Sequence, residues 1–336
     1  MSRSRYITVI IIMLAMLALL VPATLLCGSV PLSVGDVWHA ITGAPTDNPA
    51  APLIVCQTRV PMMLTAILAG AALAVSGLLM QTTFDNPLAG PSILGISSGS
   101  SLGVAIVLLV SPALAVGSTG YYATTLTGAF IGAALIMLIL IALASTLRST
   151  LMLLVAGILV SYLASSAISL LNFFATQEGV HSFVIWGLGT YSAMTPGRVA
   201  VMALVTVPPL LLAATRVKVL NAMLLGDSYA RSLGVRILRD RAVILTLSGI
   251  LAATVTAFCG PIGFIGLATP HIARLAIGDS DHRRLLPATI LAGALMSLFC
   301  AWISVIPGTG VIPINAITPV VGVPVIIYII VKRKLR

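Results

Sequence analysis

The sequence predicts an all-α membrane protein of about ten membrane-crossing helices with both ends in the cytoplasm. Three observations lead there. Charged residues make up only 8% of the 336-residue chain, against about a quarter in soluble domains, and the mean hydropathy is +1.14. Apolar runs recur at near-regular intervals, at lengths suited to a hydrocarbon core roughly 30 Å thick, about 20 residues of helix. Sixteen of the eighteen Lys and Arg residues fall on one side of the membrane once the N-terminus is placed inside.

The apolar segments lie at about 6–26, 62–82, 93–111, 121–144, 151–175, 198–215, 241–260, 262–276, 286–306 and 316–331. The first follows Arg3 and Arg5, has no clear small-x-small cleavage site, and reads as a retained helix. The seventh and eighth are separated only by Cys259-Gly260-Pro261. The inner side collects Arg3, Arg5, Arg148, six basic residues from Arg216 to Arg241, Arg274, Arg283, Arg284 and the basic tail. The outer side keeps only Arg59 and Arg198. This asymmetry orients the chain N-in and C-in. It also explains the net charge of +10 by topology, so no nucleic-acid partner is expected.

Segment two (AILAGAALAVSGLLMQ) leads into the Pro/Gly break NPLAGPSILG, and segment seven (LTLSGILAATVTAF) leads into CGPIGFIGLATPH. Five spans apart, the two copies run in opposite directions, a weak inverted repeat of the kind found in transport folds. Gly70, Gly77, Gly95, Gly99, Gly103, Gly128 and Gly132 are placed for close helix packing.

The eight acidic residues all fall in loops or at helix ends. An ion-coupled transporter needs a titratable group inside the membrane, so proton coupling is disfavoured. A stand-alone secondary transporter or channel with an uncharged polar lining stays open as the alternative. There is no Walker A motif and no H-E-x-x-H, and no hydrolytic chemistry is expected in the chain itself. Energy for active transport must come from another chain. Cys27, Cys56, Cys259 and Cys300 lack metal-ligand spacing, and no cofactor is expected. Cys27 and Cys56 lie near the outer ends of helices one and two, so whether they pair stays open. His271, after Pro270, reads as a side chain closing a helix end against backbone carbonyls.

The most unusual polar stretch is about 216–240, with the core LLGDSYARSLGV. Asp227 is placed to cap a short helix, Tyr229, Ala230, Leu233 and Val235 offer an apolar patch, and Gly226 and Gly234 bracket it. A short helix so bracketed suits insertion into a partner's groove.

This stretch resembles the cytoplasmic coupling loop of the FecCD-type permeases, membrane subunits of binding-protein-dependent ABC importers for vitamin B12, haem and iron–siderophores. Other matches run along nearly the whole chain: Arg59-Val60-Pro61 with LAGAALAVSGLLMQ, Asn86-Pro87-Leu88-Ala89 with ILGISSGSSLG, GPIGFIGLATPHIARL, and DHRRLLP (281–287). The resemblance implies a single permease domain over 1–336, with helices one to five in about 1–175 and six to ten in about 198–336. It implies a multi-pass protein of the bacterial inner membrane, assembled with a second permease subunit as a homodimer, two cytoplasmic ATPase subunits and an extracytoplasmic binding protein. It assigns ATPase coupling to Leu225, Gly226, Asp227, Tyr229, Ala230, Arg231, Leu233 and Gly234. A cytoplasmic gate falls at Ser149, Thr150 and Leu151, beside a path lined by the fifth helix. Binding-protein docking falls to Arg59, with Met62 where the family commonly has a second Arg. Trp302 and Ile306 stand where it commonly has an acidic residue and another Arg, so a more apolar outer rim is expected. The implied cargo is an iron chelate (siderophore or haem) or a corrinoid.

Overall fold

The computed structural model describes residues 3–45, 48–92, 94–110, 118–147, 149–306 and 310–334, and among them every regular element is helical. Helix α1 spans Arg3–Leu26. The short α2 (Val34–Thr42) starts at a reciprocal capping box between Ser33 and Asp36 and stops at Gly43, whose φ is 74°. α3 (Ala51–Ile54) runs through a π turn (Val55–Arg59) into α4 (Val60–Thr83). The second apolar segment is therefore part of one 33-residue helix that begins well before the apolar run at 62. α5 (Ile96–Ala105) ends in a second π turn, Ile106–Val110. Then come α6 (Ser118–Thr146), α7 (Thr150–Phe174), α8 (Gln177–Gly187) and α9 (Pro196–Thr215). The chain continues through α10 (Val217–Met223), α11 (Asp227–Ser232), α12 (Ile237–Cys259), α13 (Ile265–Ile277), α14 (His282–Val305) and α15 (Ile314–Lys334).

Among the described residues, seven helices are long and apolar enough to cross a membrane. Three shorter apolar helices, Ile96–Val110, Ile265–Ile277 and Ile314–Tyr328, fall on the third, eighth and tenth sequence segments. The 13 residues of α13 span only about 20 Å as helix. The non-helical stretch Gly260–Phe264 in front of it adds to that length. Non-helical backbone at that depth survives only where protein satisfies it. Asn315 of α15 does so: its Nδ2 donates to the carbonyls of Pro261 and Gly187, and its Oδ1 accepts from the Gly263 N–H at 3.2 Å. The Thr190 N–H takes the Cys259 carbonyl at 2.9 Å.

α4 is the hub, packed against α14, α12, α13 and α9. Small residues let it approach its neighbours backbone to backbone. A Cβ on Gly77 would sit 1.7 Å from the Gly266 carbonyl oxygen, and one on Gly70 2.1 Å from that of Gly293. α5 and α6 meet the same way at Gly103 and Gly128. The internal likeness of segments two and seven reaches into this packing. Their matching serines bond reciprocally, Ser76 Oγ with the Ser248 carbonyl (2.9 Å) and Ser248 Oγ with the Ser76 carbonyl (3.0 Å). Each segment also leads through a Gly-Pro into a short helix whose N-cap has positive φ, Gly95 (82°) before α5 and Phe264 (65°) before α13.

Candidate functional site

At the basic end of the molecule the chain between α9 and α12 divides into an anchored half and a presented half. Helix α10 is anchored, with Leu220, Ala222 and Met223 buried, and it packs on α14, α4 and α9. After Gly226 (φ 90°) the chain turns outward into α11, and Gly234 (φ 86°) turns it back into α12. Both angles lie where a Cβ is strained, which is the local reason for glycine at these two places. Leu225, just before the first glycine, and Tyr229 and Leu233 between the two are 61%, 54% and 58% exposed, and Arg231 is exposed beside them.

Two expectations for this loop are corrected. Asp227 does not cap α11: Gly226 is the N-cap and no side chain closes it. The Asp227 carboxylate turns back to Arg241 Nη2 at 3.1 Å, since a buried guanidinium, 7% exposed, needs a counter-charge more than a short helix needs a cap. Ala230 is not part of the outward patch. It is fully buried, the one small position where α11 can touch the body. Arg216 and Asp240 add an ion pair at 3.5 Å across the base of the loop, and Asp240 also accepts the Arg236 N–H.

The sequence reading passed over the residues that tie α10 down. Asn221 Nδ2 donates to Asp281 Oδ1 at 2.6 Å, while Asn221 Oδ1 accepts from the backbone N–H of His282 at 2.9 Å and from its ring Nδ1 at 2.8 Å. His282 Nε2 meets Thr82 Oγ1 of α4 at 2.8 Å. An amide in the otherwise apolar LNAM of α10 was the available signal, because a polar side chain in a buried helix needs partners. Asp281 N-caps α14, and its carboxyl is held below the usual range by the Arg283 N–H, then by Asn221 and the Arg283 and Arg284 charges. Asp279 is lowered similarly by the Asp281 N–H, with Arg284 paired at 2.9 Å.

The other expected sites lie apart from this one. Ser149 N-caps α7, its Oγ accepting the Met152 N–H at 3.4 Å. Leu151 is 67% exposed, while the side chain of Thr150 and the whole of Arg148 lie outside the described residues. α7 is mostly open: Leu151, Val155, Leu159 and Tyr162 are exposed along one face. At the opposite end, the exposed docking cation expected at Arg59 is corrected. Arg59 is 4% exposed, and its guanidinium donates to the carbonyls of Leu25 (2.6 Å), Leu26 (3.0 Å) and Val30. Met62 is also 4% exposed, its Sδ accepting from Ser192 Oγ. Arginine is here because the C-terminus of α1 leaves carbonyls without intrahelical donors. Of the positions expected to form the outer rim, Ile306 is exposed (51%) and Trp302 is half-buried.

His271 Nε2 meets the Pro87 carbonyl at 2.7 Å, the carbonyl-facing role expected of it. All four cysteines are free, with Cys56 Sγ against the Ala40 carbonyl. No group of three or more metal-ligating side chains occurs among the described residues.

A model of the FecCD transport family matches residues 13–332. The chain belongs to this family. Among FecCD relatives, the hemin transport system permease protein HmuU of Yersinia pestis is 33% identical over 96% of this chain and 95% of its own length. The vitamin B12 import system permease protein BtuC of Shigella boydii serotype 18 is 35% identical over 96% of this chain and 93% of its own. A solved structure of a metal-chelate type ABC transporter, in an inward-facing conformation, superposes with a TM-score of 0.81 at 28% identity, covering 96% of this chain and 99% of the other. This FecCD chain is thus a multi-pass membrane permease subunit and not itself an enzyme.

Proposed function

We propose that this chain is the permease subunit of a binding-protein-dependent ABC importer of the bacterial inner membrane. In this reading two copies form a homodimer, two ATPase chains dock from the cytoplasm, and a binding protein delivers cargo from outside. The carrying observation is α11: an apolar surface on the basic end, bracketed by two left-handed glycines, on a chain with no nucleotide-binding motif of its own. Leu225, Tyr229 and Leu233 fit a groove in the ATPase as a short helix does. Arg231 adds charge at the rim. The chain crosses ten times as one domain, N-in and C-in, which the positive-inside pattern supports.

The path follows the open face of α7, where a second copy brings two such faces together, and the gate sits at its Ser149–Leu151 start. The binding protein docks over the outer end, near Ile306 and the exposed Trp38 of α2, with Arg59 and Met62 forming the packed layer beneath. Relatives that import hemin or vitamin B12 favour a large chelate, haem, siderophore–iron or corrinoid, as cargo, with selection by the binding protein. The stand-alone transporter is the weaker reading because no carboxylate lies at a mid-span position. The test is assembly in detergent: the ATPase should co-purify with wild type and be lost from Tyr229→Asp. A chain that moves cargo with no ATPase present would reject the reading.

A further inference from the structure

The anchored half of the loop touches the hub helix through one polar route. α11 is seated by the ion pair of half-exposed Asp227 with buried Arg241 and by a single buried alanine. α10 is different, because it packs against both α11 and α14 and all polar side-chain atoms of its Asn221 are engaged with the start of α14. The Asn221 oxygen can only accept, so His282 carries its ring proton on Nδ1, and its Nε2 shares the Thr82 hydroxyl proton with the Leu78 carbonyl at 2.9 Å. His282 is fully buried and Thr82 is 5% exposed. Apolar contacts between helices slide at little cost, whereas short buried hydrogen bonds hold direction. Thr82 lies in the last turn of α4, and its neighbour Gln81 donates to the Leu267 carbonyl of α13 at 3.1 Å. A push on α10 therefore reaches α14, α4 and α13 at one point, and α4 carries it into the centre of the bundle.

We propose that Asn221, His282 and Thr82 form a hydrogen-bonded strut that carries displacement of the ATPase-coupling segment into α4, making them positioning residues for gating. The proposal rests on the reading of the chain as an ATP-driven import subunit, and it assigns the transmission to three side chains rather than to the loop backbone alone.

The experiment uses the full complex of permease, ATPase and binding protein in proteoliposomes, with cargo uptake and ATP hydrolysis measured together. Four variants suffice: Asn221→Ala, the near-isosteric Thr82→Val, Thr82→Ser, which keeps the hydroxyl, and the double variant of Asn221→Ala with Thr82→Val. Asn221→Ala and Thr82→Val should still bring down the ATPase but lower the ratio of uptake to hydrolysis about three- to ten-fold. Thr82→Ser should restore that ratio, and the double variant should be no worse than the stronger single one, as members of one chain require. Lower melting temperature alone does not produce this pattern, because the ratio is read on assembled complex below the melting range. Unchanged ratios in both Asn221→Ala and Thr82→Val would overturn the strut while wild type stays ATP-coupled. A wild-type complex in which uptake is independent of hydrolysis would overturn the import reading and the strut with it.

Discussion

The two ends of this molecule use arginine and apolar side chains in opposite ways. At the outer end Arg59 is turned inward onto three carbonyls of the α1 terminus and segment 28–30, and Met62 is packed beneath the surface. At the basic end Arg231 is exposed, and Leu225, Tyr229 and Leu233 stand out from the body. Burial gives the outer pair packing and hydrogen-bond partners within the chain, and exposure leaves the loop surface open to the partner proposed above. A motif position identifies which residue matters, but only the direction of its side chain tells whether it serves the fold or an interface.

Breaking the outer end should have the largest effect on stability. Arg59→Ala leaves several carbonyls of a buried helix end without donors, and such losses cost about 1–3 kcal/mol per group. Thermal melting of the detergent-solubilised chain should fall by several degrees or the chain should fail to accumulate. Melting unchanged from wild type, with binding-protein docking lost, would restore Arg59 as a docking cation.

The loop should respond in the reverse sense. Leu225→Asp or Tyr229→Asp should weaken association with the ATPase about thirty-fold, as loss of a central apolar anchor of 2 kcal/mol does, with melting unchanged. A smaller effect is expected from Gly226→Val, since forcing a β-branched residue to φ 90° costs about 1–3 kcal/mol. That variant should keep the ATPase bound but with reduced stimulation. Equal melting losses at both ends would erase the contrast.

The smallest effect concerns pH. Folding lowers the Asp281 and Asp279 carboxyls below their ordinary value of 3.8. Their contribution is therefore complete above the unfolded value and is lost only as pH falls through the still lower folded one. ATPase co-purification should be flat from pH 8 to about 5, and a midpoint near pH 6 would show that another group controls the loop.

Much of the architecture was legible in hydropathy, because helices in lipid must satisfy their own backbone and so carry an unbroken apolar pattern. The loop over about 216–240 was legible because its polarity and paired glycines interrupt that pattern. Side-chain direction was not. Ala230 and Arg59 read as surface residues from their position in a loop or at a helix end, yet both are buried, Arg59 against carbonyls of the separate helix α1. The Asn221–His282–Thr82 link joins residues 61 and 200 positions apart, and no local pattern carries that information. The extension of the second helix back to Ala51 was hidden by the polar Gln57-Thr58-Arg59, whose arginine finds its hydrogen-bond partners only once α1 is in place.

The central claim is that α11 transmits ATP energy to a path the chain itself forms. The direct measurement is ATP-driven uptake into proteoliposomes holding the permease, its ATPase and its binding protein, with Tyr229→Asp as the paired sample. The account predicts cargo accumulation that requires ATP in the wild type and falls to the no-ATP level in the variant. Uptake that proceeds without ATP, or that survives Tyr229→Asp undiminished, would contradict it.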